Sequence, residues 1–440
     1  MKKLPHHCLR SLAALSAMAA CLALPAGASA MTPAEATAAV QSLLGSAQYK
    51  AMAAYLDQDH DRIVEQNIAL QQVPAPTFEE GAKAKLFAQF MQEAGLSTTI
   101  DEAGNVLALW KGRDSKAGKA DVHVVGAHLD TVFGRDVDLS IQREGTRLIA
   151  PGILDDSRGL AALLAIVRAM KHAGVQTHDD LLFVATVGEE GMGDLRGVKQ
   201  LFLHSEYKDR IRSAVMVDTG SPDQVVAQAA GSKRYEVHYK GPGGHSYRAF
   251  GIVSPMYALG AAMGEIGRLK TPKGTTYSIG LIGGGTSINS IPDDAWMQVD
   301  MRSASQPDLA ALEAEFLKLI AAPVAAENQA RSTQSGSISM QYKLVGDRPA
   351  GSTAADQRIV QIALAASGSQ GWPARVASAS TDANLPMSLN IPAVTVASGV
   401  GSLNHSTKEY LDIEKGQSVR ALQVTLISIL DAGRMVTGGR

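Results

Sequence analysis

The fold of this chain is decided by VHVVGAHLD, residues 122–130. The first six residues are almost purely apolar, which is typical of a strand buried on both faces inside a parallel sheet. His128 and Asp130 follow directly, and because side chains alternate along an extended segment, the two point the same way. The stretch therefore predicts a buried strand whose carboxyl end presents an imidazole beside a carboxylate.

Two further apolar strands end in acidic residues. Leu181–Val187 is followed by Glu189 and Glu190, and Ala214–Val217 is followed at once by Asp218. Adjacent carboxylates at the end of a buried strand cost free energy unless positive charge lies beside them. Ligands of open α/β sheets bind at the carboxyl ends of the strands. Three strands that all end in His, Asp or Glu therefore indicate a functional edge of the sheet.

Helical segments alternate with these strands. Segments with helical periodicity are residues 31–72, 77–93, 159–172, 356–366 and 415–432, and further strands are predicted at Val106–Trp110 and Ala393–Ala397. Thr77 followed by Glu80 resembles a capping box that opens the second helical segment. The alternation predicts an α/β domain with a mixed, mostly parallel sheet flanked by helices.

The pattern changes near Gly231. The strands predicted beyond it are Tyr235–Tyr239, Tyr277–Ile282, Trp296–Arg302 and Ile338–Leu344, and the helices are Pro255–Leu269 and Asp308–Ala321. This stretch predicts an α+β insert, residues 231–347. The predicted catalytic domain then consists of two parts, residues 31–230 and 348–440, on either side of the insert.

Residues 1–30 have the features of a secretory signal peptide: basic residues, an apolar run and a small-residue cleavage pattern at Ala28-Ser29-Ala30. We therefore expect a periplasmic or secreted protein without stable membrane insertion after the signal is removed. Both cysteines, Cys8 and Cys21, lie within this segment. Metal ligands of the mature chain must then be His, Asp or Glu.

The charge balance gives no indication of nucleic-acid binding. The formal net charge is −2, with 41 Lys and Arg residues against 43 Asp and Glu residues. Three of the cations, Lys2, Lys3 and Arg10, belong to the expected signal, so the mature chain is more acidic still.

Two more candidate sites have ordinary alternatives. Asp155 and Asp156 precede the helical segment at residue 159, where paired acids commonly cap a helix. The functional interpretation makes Asp155 a carboxylate that bridges two metal ions. His405 lies in the loop Ser402–Ser406, where it can equally be a polar surface residue. The pattern alone leaves both questions open.

These motifs resemble the zinc-dependent family that includes tripeptide aminopeptidase (peptidase T), glutamate carboxypeptidase, aminoacylase and succinyl-diaminopimelate desuccinylase. The resemblance is closest to peptidase T-like members and covers nearly all of the mature chain. It rests on Gly126–Thr131, Gly152–Asp156, Gly188–Gly191, Val217-Asp218 and His405. It implies that His128, Asp155 and Asp218 bind one metal, and that Asp155, Glu190 and His405 bind the other. It further implies Glu189 as general base and Asp130 as the partner of His128.

Oxygen and imidazole ligands suit two Zn²⁺ per subunit, and also Mn²⁺ or Co²⁺. In a metal pair about 3.5–4 Å apart, one metal polarises the scissile carbonyl and a bridging water becomes hydroxide near neutral pH. Glu189 would take the proton of that water and pass it to the leaving amine.

The resemblance identifies the insert as a lid and dimerisation domain, and so implies a homodimer. His245, in Gly241–Ser246, matches a histidine that in relatives reaches the partner subunit's site and stabilises the oxyanion. Asn289, Arg302 and, more weakly, Arg348 match residues that hold the polar end of the substrate. A planar guanidinium pairs well with a carboxylate.

Asp218 bears on the substrate, because di- and tripeptidases of the family carry Asp there while carboxypeptidases and deacylases usually carry Glu. We therefore expect an aminopeptidase or dipeptidase acting on small peptides. An N-acyl amino-acid amidohydrolase or carboxypeptidase is the alternative, and a non-catalytic periplasmic binding protein is an alternative of another class. Ser157-Arg158-Gly159 and Ser380 depart from the family pattern, which affects the expected shape of their loops.

Overall fold

The computed structural model describes residues 30–117 and 120–436. The expected signal peptide, residues 1–30, lies outside this part of the chain except for its last residue. Within the described ranges, no helix combines the length and the apolar character that crossing a membrane would require.

The helices are α1 (Pro33–Gly45), α2 (Ala47–Gln58), α3 (His60–Gln71), α4 (Gly81–Glu93), α5 (Ser157–His172), α6 (Arg196–Lys199), α7 (Pro255–Ile266), α8 (Gln306–Ala330), α9 (Arg358–Ser369), α10 (Asn384–Ser388) and α11 (Lys415–Ala432). The strands of the first half are β1 (Thr98–Ile100), β2 (Val106–Trp110), β3 (Val122–His128), β4 (Gln142–Glu144), β5 (Arg147–Ile149), β6 (Asp180–Thr186), β7 (Ile211–Asp218), β8 (Gln224–Ala229) and β9 (Gly231–Lys240). Those of the second half are β10 (Gly244–His245), β11 (Thr275–Gly284), β12 (Ser290–Ile291), β13 (Asp294–Ser303), β14 (Ser339–Arg348), β15 (Gly351–Ser352), β16 (Arg375–Ala379), β17 (Ala393–Ala397), β18 (Val400–Ser402) and β19 (Tyr410–Asp412).

The largest sheet has the order β1-β2-β6-β3-β7-β17-β8-β15, with β16 paired to β8. Its central strands β6, β3, β7 and β17 run parallel, and β1, β2 and β15 pair antiparallel to their neighbours. The predicted mixed, mostly parallel sheet is confirmed. In this register His128 lies opposite Thr186, so the residues that follow β3, β6 and β7 meet at one edge.

Both faces of the sheet are covered, as the apolar strands require. One face packs against a large core that includes the almost entirely buried helix α5 together with α9 and α11. The other face packs against residues that follow β6, such as Leu201 and Phe202, and against α10. A fixed sheet edge between two packed layers can hold side chains in defined positions, which a metal site needs.

The insert forms a separate antiparallel sheet with the order β11-β13-β9-β14. The central strands β9 and β13 alternate buried and partly exposed residues, and Val237, Tyr239 and Met297 pack towards α7 and α8. Arg302 on β13 and Arg348 on β14 both lie opposite Ser232 on β9. This end of the insert sheet is the one that faces the catalytic domain.

The predicted capping box at Thr77 is wrong. Helix α4 begins at Gly81 with Glu80 as its N-cap residue, and the Glu80 side chain makes no capping bond. The Thr77 hydroxyl instead donates to Asp130 Oδ2 at 2.9 Å, because that buried carboxylate needs donors.

Helix α8 is longer than predicted, and strands β8 and β16 had no counterpart among the predictions. The last turns of α8 are held by tertiary contacts: buried Glu327 accepts from Ser254 N at 2.9 Å. Such a contact between distant segments leaves no periodic signal in the sequence.

Candidate metal centre

Five side chains converge at the carboxyl edge of the parallel strands. His128 and Asp218 are the last residues of β3 and β7, and Glu190 follows β6. Asp155 precedes α5, while His405 lies between β18 and β19. The ends of parallel strands meet at one edge, and the two loops are held over that edge by neighbouring elements.

The convergent side chains form two groups that share Asp155. His128, Asp155 and Asp218 offer ligand atoms within 4.8 Å of one another, and so do Asp155, Glu190 and His405. In the first group His128 Nε2 lies 3.0 Å from Asp155 Oδ1 and 3.9 Å from Asp218 Oδ1. In the second, His405 Nε2 lies 3.2 Å from Asp155 Oδ2 and 3.1 Å from Glu190 Oε1.

The electrostatics of this cluster favour bound cations. Burial, together with the charges of Asp155 and Glu190, raises the pKa of Asp218 to about 7 despite the nearby His128. Hydrogen bonds to Asp155 and Glu190 raise the pKa of His405 to about 10. Buried Asp155 Oδ1 forms no hydrogen bond of normal geometry, although His128 Nε2 lies 3.0 Å away. Carboxylates that repel one another and a buried acceptor without such a bond fit a pair of divalent cations.

The imidazole of His128 is oriented by the main chain of Asp130. His128 Nδ1 lies 3.0 Å from the Asp130 carbonyl oxygen, whereas the Asp130 carboxylate is 3.7 Å away. A proton on Nδ1 leaves Nε2 free to bind a metal, which is the usual arrangement of metal-ligating histidines. The Asp130 carboxylate instead accepts from Glu189 N at 3.0 Å and Glu190 N at 2.9 Å.

Glu189 lies beside the ligands and pairs with Arg348. Arg348 Nη1 donates to Glu189 Oε1 at 3.1 Å, and Nη2 donates to the main-chain oxygen of Glu189. Burial raises the pKa of Glu189 well above its ordinary value, while Arg348 opposes that shift. Arg348, expected to hold the substrate, is itself buried and engages the candidate general base.

A cavity of about 380 Å³ opens over the cluster. Its lining includes Glu189, all five candidate ligands and three arginines, Arg234, Arg302 and Arg348. Arg234 and Arg302 come from the insert and flank Asp300, at 3.0 Å and 2.7 Å. The site is therefore acidic at its base and basic on the side of the insert.

His245 and Asn289 do not line this cavity. Both are exposed, and they lie near each other because β10 pairs with β12 and Ser246 N donates to the main-chain oxygen of Asn289 at 3.0 Å. Of the predicted site residues, the structure brings all except these two to the pocket or directly beneath it.

Several residues in or beside the site were missed from the sequence. Arg234 lines the cavity, and Glu409 Oε1 accepts from Asp155 N at 2.8 Å beneath it. Lys83 is fully buried, which lowers its pKa to about 8 although Asp130 and other nearby carboxylates oppose the shift. A lysine on a helix gives no signal of such burial, because the carboxylates around it come from distant segments.

The comparisons with known proteins identify the family. The family model described as peptidase family M20/M25/M40 matches residues 124–428, which include every candidate ligand. The chain belongs to this family. It is therefore an enzyme, a metal-dependent hydrolase, and the alternative of a non-catalytic binding protein is wrong.

Among solved structures, this family member resembles aminopeptidase PepT from Bacillus cereus, with a TM-score of 0.66 and 20% identity, over 84% of this chain and 99% of that one. It also resembles a Bacillus subtilis protein described as a dinuclear metal-binding peptidase, with a TM-score of 0.59 and 16% identity, over 85% and 99% of the two chains. At these identities the likeness concerns the fold.

By sequence, the enzyme is 33% identical over 115 residues to an N-carbamoyl-L-amino acid amidohydrolase from Geobacillus stearothermophilus. The match covers 26% of this chain and 24% of the amidohydrolase, so it spans about a quarter of that relative.

Proposed function

We propose that this enzyme is an exported peptidase that hydrolyses the amide bond of small peptides near a free amino terminus, with two metal ions per subunit. The observation that carries the proposal is the pair of ligand groups that share Asp155, with Glu189 beside them in one cavity. His and carboxylate ligands suit Zn²⁺ best, with Mn²⁺ and Co²⁺ as further possibilities.

His128, Asp155 and Asp218 would hold one ion, and Asp155, Glu190 and His405 the other. When bound, the ions polarise the scissile carbonyl and lower the pKa of the attacking water. Glu189 accepts the proton of that water and donates it to the leaving nitrogen. A base whose pKa is raised by burial can hold the proton between the two steps.

The cavity supports a short substrate. Its volume of about 380 Å³ admits a di- or tripeptide more readily than a folded chain. Arg234 and Arg302 on the insert side fit a carboxylate at the end of the substrate that points away from the acidic base. Asp218, and the similarity to an aminopeptidase structure, support cleavage near a free amino terminus.

The test is a substrate screen with the purified, metal-loaded enzyme. We expect turnover of di- and tripeptides with a free amine, and loss of turnover when the same peptides are N-acetylated. Turnover restricted to the N-blocked substrates would overturn the aminopeptidase proposal while leaving the metal chemistry intact.

A second candidate function is hydrolysis of N-carbamoyl or N-acyl amino acids. The observation in its favour is the sequence similarity to the Geobacillus amidohydrolase. The same screen includes N-carbamoyl and N-acetyl amino acids, which this candidate predicts to be the best substrates.

Export and assembly complete the proposal. The features of residues 1–30 support export, which cell fractionation and the amino-terminal sequence of the mature protein would test.

His245 is exposed and does not line the cavity that contains the candidate ligands of its own subunit. This position supports a homodimer in which His245 reaches the partner's site. Sedimentation of the purified enzyme measures the oligomeric state.

A further inference from the structure

The turn that carries Glu189 has its successive backbone N–H groups held by buried side chains. Asn105 Oδ1 accepts from Val187 N at 3.0 Å, and Glu80 Oε1 accepts from Gly188 N at 3.1 Å. Asp130 accepts from the N–H groups of Glu189 and Glu190. The three acceptors come from distant parts of the chain, so tertiary contacts fix the turn from several directions.

Glu80 is the only one of these acceptors that bears a charge and lies away from the ligand cluster. It is 2% exposed, and its Oε1 also accepts from Phe78 N at 3.1 Å. Its Oε2 accepts from Arg196 Nη2 at 2.6 Å, and Arg196 in turn donates to the Ala103 carbonyl oxygen at 2.6 Å. The buried charge is therefore fully paired, as burial requires.

Gly188 is packed closely against this ion pair. Its φ of +68° lies in the left-handed region, and a Cβ atom there would come within 2.6 Å of Arg196 Cγ. The turn consequently has little freedom to move towards Arg196, and its Gly188 N–H stays directed at Glu80.

We propose that Glu80 is a positioning residue for the reaction: it holds the Gly188 N–H and thereby fixes Glu189, one residue further on, over the metal centre. The inference rests on the proposed function for the role of Glu189 as base. A helix-capping role does not explain Glu80, because its side chain makes no capping bond to α4. Its carboxylate contacts Gly188 and Arg196 across more than a hundred residues of sequence.

The test compares two double variants that differ only in the acceptor. In E80Q/R196M, the introduced amide oxygen can still accept from Gly188 N–H. The negative charge of Glu80 and the positive charge of Arg196 are removed together. E80A/R196M removes the acceptor as well. E414A, which removes a carboxylate cap from the exposed start of α11, is the control for loss of a glutamate elsewhere.

We expect kcat of E80A/R196M to be about 10- to 100-fold below that of E80Q/R196M, because small displacements of a catalytic group are costly. KM should stay within about threefold, since the substrate contacts are untouched. Metal content, measured by atomic absorption, should be equal in the two variants, and E414A should match the wild type.

Hydrogen exchange of the metal-free protein gives a readout without activity. We expect E80A/R196M to lose amide protection in residues 187–190 and to keep it in β3 and β7. Equal kcat in the two double variants, equal exchange, or a loss of kcat that follows loss of metal would each overturn the inference. If the wild type cleaves no peptide, the proposed function fails, and the exchange experiment still decides whether Glu80 holds the turn.

Discussion

Strand β3 carries a histidine near each end, and the two have opposite surroundings. At the amino end, His123 lies 2.7 Å from Ser213 Oγ and 3.3 Å from Asp179 Oδ2, and Arg434 Nη2 donates to Asp179 Oδ1 at 2.6 Å. At the carboxyl end, His128 meets Asp155 and Asp218, and no arginine within residues 30–117 and 120–436 pairs with either carboxylate. A His–Asp contact therefore exists at both ends, but only the amino end is balanced in charge.

The pKa shifts of Asp179 and Asp218 have opposite signs, whereas the pKa of Asp155 is lowered like that of Asp179, because interactions with His128 and His405 outweigh its burial. Burial would raise the pKa of Asp179, but hydrogen bonds from His123 and Arg434 lower it to about 2. Burial and neighbouring carboxylates raise the pKa of Asp218 to about 7. An excess of buried acid, rather than the His–Asp contact itself, thus separates a metal site from a structural ion-pair network.

The largest expected effect comes from exchanging the two histidines for alanine, one at a time. H128A should lose metal and reduce turnover to background, because one ligand group is broken. H123A should keep its metal and its turnover within about twofold, and should lose about 1 kcal/mol of unfolding free energy. Metal analysis, peptide turnover and denaturant unfolding measure the three quantities. Metal loss in H123A would contradict the comparison.

The next effect separates the base from the ligands at the carboxyl end. E189Q should retain both metals and lower kcat by about 10²- to 10⁴-fold, because only proton transfer is removed. Metal content and kcat are measured on the same preparation, with E414A as the control. A normal rate in E189Q would show that another group acts as base.

A smaller effect tests whether the exposed His245 acts in a partner's site. H245A should lower kcat by about 10²- to 10³-fold with metals retained, because an oxyanion donor is lost. When H245A and E189Q are unfolded and refolded together in equal amounts, about half of the dimers should be hybrids, and one of the two sites in each hybrid is complete. The mixture should therefore recover about a quarter of the wild-type rate. No recovery in verified hybrid dimers would show that His245 does not act across subunits.

The smallest effects are on stability in the metal-free protein. Asp218 has a folded pKa of about 7, above its unfolded value, so its charge destabilises the fold increasingly as pH rises from about 4 to 7. Asp179 has a folded pKa of about 2, below its unfolded value, so it stabilises the fold above about pH 4 and ceases to do so as pH falls through 2.

At pH 8, D218N should therefore raise the free energy of unfolding and D179N should lower it, each by an amount on the order of 1–3 kcal/mol. Denaturant titrations at pH 8 and pH 4 measure both. The effect of D218N should vanish at pH 4, whereas that of D179N should persist there. Changes of the same sign at pH 8 would show that the two ends do not differ in charge balance.

The convergence of three of the five candidate ligands was predictable because these three follow apolar strands. Strands of this kind run parallel in a covered sheet, so His128, Glu190 and Asp218 had to meet at one edge once β3, β6 and β7 were neighbours. Asp155 and His405 were assigned only through the family resemblance, since a helix start and a loop give no direction to a side chain.

The sequence by itself determined the residue types at the strand ends, the mixed, mostly parallel sheet and the family. The tertiary structure alone decided which groups balance which charges. It directed the Thr77 hydroxyl to Asp130 and the Glu80 carboxylate to Gly188 N rather than to the start of α4. It also paired Arg348 with Glu189 and left His245 exposed. The physical reason is that hydrophobic periodicity acts over a few residues along the chain, whereas buried charges are paired across hundreds of residues by the packing of the whole fold.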